Sequence, residues 1–173
     1  MTRLLPGQKM PDIEVKLAGG GTWRLADNAP KSMLIINVYR GVHCPRCRRQ
    51  LEEVNARIEE FRAAGIEVIA ISADPEDRAE RARAEWAMDN IPIGYGLPLQ
   101  LGQQLGCYVS KTMREAEPEF FLEAGLFFVL PDLIFYAALI NTVPLARPSA
   151  DAMLEIGKAP IERNYPPRGT ELV

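Results

Sequence analysis

The stretch Met33-Leu-Ile-Ile-Asn-Val-Tyr-Arg-Gly-Val-His-Cys-Pro-Arg-Cys47 decides how this chain folds. Met33 to Tyr39 is a near-continuous apolar run, the pattern of a strand buried on both faces. Beyond the cysteines, Leu51, Val54, Ile58 and Phe61 recur at helical spacing until Gly65, which predicts one helix starting at Pro45. Its other face carries Glu52, Glu53, Arg57, Glu59, Glu60 and Arg62, a solvated surface. The Cys-Pro-Arg-Cys segment therefore sits where a buried strand ends and a helix begins.

That position has chemical consequences. Pro45 suits the first helical residue, where its missing N–H would have no partner in any case. A thiol just ahead of it faces unpaired backbone N–H groups and the positive end of the helix dipole, both of which favour thiolate. Arg40, Arg46, Arg48 and Arg49 crowd the same stretch, and no acid appears before Glu52. Cys44 is accordingly expected to have a lowered pKa and to attack. Cys47, three residues on and one turn inward, shares its helix face and is expected to resolve the product as a disulfide. Inert core thiols and a metal site are the alternatives, although zinc would find only Cys107 and one histidine beyond the pair. His43, that single histidine, either moves protons for Cys44 or merely fills a turn facing solvent. Cys107 reads as a buried apolar thiol outside the chemistry.

Outward from this stretch, Pro11–Val15 and Trp23–Leu25 read as short strands around Gly19-Gly20-Gly21, and Ile66–Ser72 as a second buried strand. Asp74 is expected to cap a helix running from Glu76 to about Asp89, with Pro75 first and Trp86 turned inward. A looser region precedes a short helix near Leu99–Leu105. Phe127–Leu130 and Ile134–Leu139 form a hairpin across Pro131-Asp132, a last helix covers about Ser149–Gly157, and the tail from Asn164 is extended. Right-handed crossovers then give an α/β fold: a mixed central β-sheet flanked by helices on both faces, in one domain over residues 1–173.

Composition agrees. The 173 residues are 47% hydrophobic and 25% charged, which suits one sizeable core. A net charge of −3 offers no general attraction to nucleic acid or anionic lipid. Three cysteines with one close pair do not make a disulfide framework. Pro6 interrupts the N-terminal apolar residues, and Leu126–Ile140 is short and split by Pro131, so neither a signal peptide nor a membrane span is expected. The expected setting is the reducing cytoplasm, where such a pair does redox or metal chemistry. There is no phosphate loop or dinucleotide fingerprint, and no cofactor is expected.

Residues 38–47, Val-Tyr-Arg-Gly-Val-His-Cys-Pro-Arg-Cys, resemble the active-site strand and helix start of peroxiredoxin-like proteins, the alkyl hydroperoxide reductase and thiol-specific antioxidant (AhpC/TSA) family. Met10-Pro11-Asp12, Ala124–Leu130 and Asn141–Pro148 are similar to its opening hairpin, its late strand and the loop before its last helix. The resemblance implies a thioredoxin-like fold, thiol redox activity and Cys44 as the peroxidatic residue. Asn37 and Gly41 stand where the family places Pro and Thr, and Ala124 where it places a peroxide-orienting Arg. Arg147 and Arg40 are the candidates for that Arg, and Tyr39, His43 and Arg46 complete the supporting set.

Two enzymatic readings follow: a peroxidase that reduces hydroperoxides through a Cys44 sulfenate and a Cys44–Cys47 disulfide, or a thiol–disulfide oxidoreductase acting on protein disulfides. A non-enzymatic redox sensor or metal-binding protein is the third. Partners would be a hydroperoxide or disulfide substrate and an external thiol reductant of thioredoxin or glutathione type. The apolar hairpin is either buried core or a homodimer interface.

Overall fold

All six residues of strand β3 (Met33–Val38) are buried, and the rest of the sheet is laid around it. The computed structural model describes residues 3–172. Met1 and Thr2 of the N-terminal stretch and Val173 of the tail lie outside the described residues. Strand β4 (Ile66–Ile71) pairs with β3 in parallel, and β8 (Gly125–Val129) pairs with it antiparallel on the other side. Outward from β4 come β5 (Ile93–Tyr95) and then the hairpin β1 (Glu14–Leu17) and β2 (Thr22–Arg24), while β9 (Phe135–Ile140) closes the far edge beside β8. The order is β2-β1-β5-β4-β3-β8-β9, a mixed seven-stranded sheet as expected.

Alternation along β3 divides the core. Met33 and Ile35 face a cluster containing Leu51, Val54 and Phe61, together with Ala79, Met153 and Leu154. Those residues belong to α1 (Pro45–Ala56), α2 (Ile58–Ala63), α3 (Glu76–Glu85) and α5 (Ala150–Glu162). Leu34, Ile36 and Val38 face Ile13, Leu25, Leu105 and Phe127 on the other side, which α4 (Leu99–Leu105) helps to cover. Helices thus lie on both faces, four against one.

Several boundaries differ from expectation. The single helix of residues 45–64 is broken at Arg57, whose dihedrals leave the helical region (φ −111°, ψ 15°) while its guanidinium binds Glu60 and Asp151. The last helix continues past Gly157 to Glu162. A Cβ at Gly157 would stand 2.7 Å from Ile66 Cδ1, so this glycine serves a close approach to β4 and is no helix stop. Helix α3 ends at Glu85, and Ala87 (φ +50°) reverses the chain there, yet Trp86 is buried as expected. The looser region hides β5, and β6 (Val109–Lys111) with β7 (Phe120–Leu122) forms a separate two-stranded sheet. Strands of three residues leave too short an alternation to read.

Asp74 is the most consequential difference. It does not cap α3, whose N-cap is Pro75 with no side-chain hydrogen bond. Its carboxylate is buried and turned instead toward the loop that carries the cysteines.

Candidate active site

Cys44 occupies the N-cap of α1 with extended dihedrals (φ −98°, ψ 102°), and Pro45 takes the first helical position. Its Sγ accepts a hydrogen bond from the Cys47 backbone N–H at 3.3 Å, so the thiol takes the part that a Ser or Asp side chain usually plays there. None of the three cysteines is joined in a disulfide. Exposure does not separate the pair, although the sequence places Cys47 one turn inward of Cys44: each is 1% exposed.

Hydrogen bonding separates them. The Cys47 thiol donates to Cys44, and this bond chiefly lowers the Cys44 pKa to about 6 against the opposing effect of burial. The Cys47 N–H and the charges of Arg147 and Arg40 act in the same direction. Burial, followed by that same thiol bond, pushes Cys47 well up. One sulfur is prepared as the anion and the other as its proton-bearing partner.

Of the crowd of arginines in sequence, only Arg40 contributes to the positive charge beside them, and the other contributor comes from far along the chain. Arg147, from the loop before α5, places Nη2 3.5 Å from Cys47 Sγ and 3.9 Å from Cys44 Sγ. Its Nη1 donates to the carbonyls of Ala146 (2.7 Å) and Val143 (3.3 Å). Arg40 pairs with Glu123 at 3.0 Å and Glu117 at 3.6 Å, and lies over the Phe121 ring. Arg48 instead pairs with Glu52, and Arg46 and Arg49 are exposed on the surface of α1.

Asp74 fixes the loop ahead of Cys44. Its Oδ2 accepts from the Val42 N–H at 2.8 Å, and its Oδ1 accepts from Arg78 Nε at 3.0 Å. A Cβ on Gly41 would stand 2.7 Å from Asp74 Oδ1, and Gly41 has φ +134°, so both the contact and the backbone require glycine. Arg78 Nη2 also lies 3.1 Å from His43 Nδ1. A guanidinium can only donate, so Nδ1 accepts and the ring's proton sits on the buried, unpartnered Nε2. Burial lowers the His43 pKa, which keeps this ring neutral, and it packs edge-on against Phe121. It neither faces open solvent nor makes a hydrogen bond to a cysteine.

Tyr39 is buried edge-on against Trp86, and burial pushes the pKa of its hydroxyl up against a smaller opposing effect of the neighbouring Ser72 side chain. Gln50 was not singled out by the sequence, yet it bonds Asn37 at 3.4 Å and the Pro148 carbonyl at 2.9 Å, tying β3, α1 and the Arg147 loop together. A polar residue three positions after Cys47, on the helix's buried face, was the available signal. Cys107 lies in the cluster on the other face of the sheet, where burial pushes its pKa up to about 12.

Residues 6–129 match the model of the AhpC/TSA family. This chain belongs to that family. A peroxiredoxin of Pyrococcus abyssi is 27% identical over 125 residues, 68% of this chain and 57% of that relative. The chain thus spans little more than half the length of that curated relative. The solved structure of peroxidoxin BcpB from Mycobacterium tuberculosis superposes with a TM-score of 0.73 at 17% identity, over 91% of this chain and 98% of the other. Peroxiredoxin 6 of Arenicola marina gives 0.75 at 16% identity, over 90% and 73%. The thioredoxin-like fold expected of the family is the fold of this chain. No helix among the described residues is long and apolar enough to cross a membrane.

Proposed function

We propose that this chain is a thiol-dependent peroxidase working in the cytosol. The Cys44 thiolate attacks one oxygen of a hydroperoxide: an S–O bond forms, the O–O bond breaks, and the alcohol or water leaves with a proton. Cys44 is then a sulfenic acid. The Cys47 thiol attacks that sulfur, an S–S bond forms, and water leaves. Two equivalents of an external thiol return the pair to the reduced state.

The observation that carries this reading is the Arg147 guanidinium within 3.9 Å of both sulfurs of an N-capping Cys pair. There it favours the thiolate and can stabilise charge developing on the departing oxygen. It supplies, from another loop, the cation that Ala124 does not. Exchange on folded protein disulfides is the weaker reading, because sulfurs of residues 1% exposed suit a small peroxide better than a protein surface. The edge strand β9, with Leu139 exposed, is where a homodimer would form.

Single-turnover reaction with hydrogen peroxide, followed by stopped-flow fluorescence, tests the proposal. The expected result is loss of attack in Cys44→Ser and a trappable sulfenate in Cys47→Ser. Oxidation of Cys44 no faster than that of a free thiol at equal thiolate fraction, with insulin reduction retained, would overturn it in favour of disulfide exchange.

A further inference from the structure

Beside the cysteines lies a groove of about 310 Å³, walled by α1 and the loop before α5. Arg46, Arg49 and Arg147 line it, against one acid, Glu53, whose Oε1 is occupied by the Ala150 N–H at 3.0 Å. Arg46 and Arg49 are exposed and make no ion pair among the described residues. Their position is not explained by folding: the first turn of α1 holds no acid, and cations at a helix N-terminus oppose the macrodipole. Arg147 joins groove to chemistry, since the guanidinium that lines it also reaches both sulfurs.

We propose that this groove binds the carboxylates of a small anionic thiol, of glutathione type, and that this thiol is the reductant of the Cys44–Cys47 disulfide. The inference rests on the disulfide cycle proposed above. The thiolate of the first molecule bonds to Cys44 Sγ, the Cys44–Cys47 bond breaks, and Cys47 takes a proton. A second molecule's thiolate attacks the bound reductant's sulfur, releasing its disulfide and the Cys44 thiolate. Cys44 is the good leaving group in that step because its pKa is low. A thiol on a slender chain, held by its carboxylates on Arg46 and Arg49, reaches sulfurs that a folded protein's surface does not.

The test starts from full-length protein whose disulfide is installed with hydrogen peroxide and, separately, with diamide. Reduction by glutathione, uncharged 2-mercaptoethanol and cationic cysteamine is followed by stopped flow and corrected for thiolate fraction. Glutathione is expected to lead 2-mercaptoethanol by about tenfold, the equivalent of one or two surface ion pairs, and to lose that lead as salt rises. Arg49→Glu, at an exposed position, is expected to slow glutathione about tenfold, speed cysteamine, and leave 2-mercaptoethanol unchanged. Arg46→Glu, in the same groove, is expected to shift glutathione and cysteamine rates in the same opposite directions. Equal rates for the three thiols, or an equal loss with all three in both variants, would overturn the inference. So would an acidic thioredoxin-type protein that outpaces glutathione and loses its lead in Arg49→Glu, since the groove would then receive a protein. A disulfide that forms with diamide and not with peroxide removes the peroxidase reading alone; one that forms with neither removes both.

Discussion

Cys44 and Cys107 are almost equally buried, at 1% and 4% exposure, on opposite faces of one sheet. Their acidities move in opposite directions, to about 6 and about 12. Burial acts on both in the same upward sense. At Cys107 nothing opposes it. At Cys44 the Cys47 thiol, the Cys47 N–H and two guanidinium groups outweigh it. Low accessibility therefore does not make a cysteine inert; the donors arranged around the sulfur decide its chemistry. Every one of those donors is fixed by tertiary structure or by the first turn of α1.

The largest test of this contrast is chemical. Cys44→Ser is expected to abolish the fast reaction with peroxide, and Cys107→Ser to leave its rate within about twofold, because the two thiols share no donor. Loss of rate in Cys107→Ser, measured by stopped flow, would join the two faces functionally. Next in size is the anchor beneath the reactive loop. Asp74→Asn removes the charge that faces Arg78 and weakens the acceptor of the Val42 N–H. Breaking a buried pair of this kind costs about 3 kcal/mol, to be read from urea unfolding.

The strand–Cys-Pro-Arg-Cys–helix unit was legible because its signals are local: a solid apolar run, a helix-starting proline and a 3.6-residue repeat. The donors that set the Cys44 pKa were legible only in part. Arg40, four residues away, was legible as part of the local arginine run, whereas Arg147, more than a hundred residues away, could be proposed only by analogy with a missing family arginine. Arg46, Arg48 and Arg49 read as one cluster with Arg40, because sequence proximity does not reveal that Arg48 pairs with Glu52 while Arg46 and Arg49 stay exposed along a groove and touch neither sulfur. Asp74 was misread for a related reason. An Asp before Pro75 is a sound local cap signal, yet a buried loop N–H and Arg78 compete for the same carboxylate and win. Strands β5, β6 and β7 were missed because three residues carry too little periodicity, and their pairing is long-range.

A smaller effect sharpens the role assigned to Arg147. Hydrogen bonds to charged groups contribute roughly 1.5–3 kcal/mol, and one pKa unit corresponds to about 1.4 kcal/mol. Arg147→Ala is therefore expected to raise the Cys44 pKa by about one unit, the Cys47 donors remaining in place. At pH 6 the thiolate fraction would fall from about one half to about one tenth, and at pH 8 it would barely change. Thiolate absorbance titration reads the shift directly. Peroxide rates that fall at pH 8 as well would show that Arg147 also acts on the departing oxygen.

The two thiols should also oppose one another in the pH dependence of stability. An unfolded cysteine has a pKa of about 8.5. Cys44 ionises earlier in the folded state, so its contribution is present above the unfolded value and is lost as pH falls toward about 6. Cys107 ionises later when folded, so its contribution is complete below about 8.5 and is lost as pH rises toward about 12. Cys47, also raised, acts with Cys107. Unfolding free energy should thus climb between pH 6 and 8 and decline above 9, each thiol contributing at most about 1.4 kcal/mol per pH unit. Cys44→Ser should flatten the climb, and Cys107→Ala should remove roughly half of the decline while Cys47 sustains the rest. The constant cost of each substitution cancels, because the slope with pH is the quantity measured. A climb between pH 6 and 8 as steep in Cys44→Ser as in the wild type would mean that burial, and not the donors around Cys44, governs both faces of the sheet.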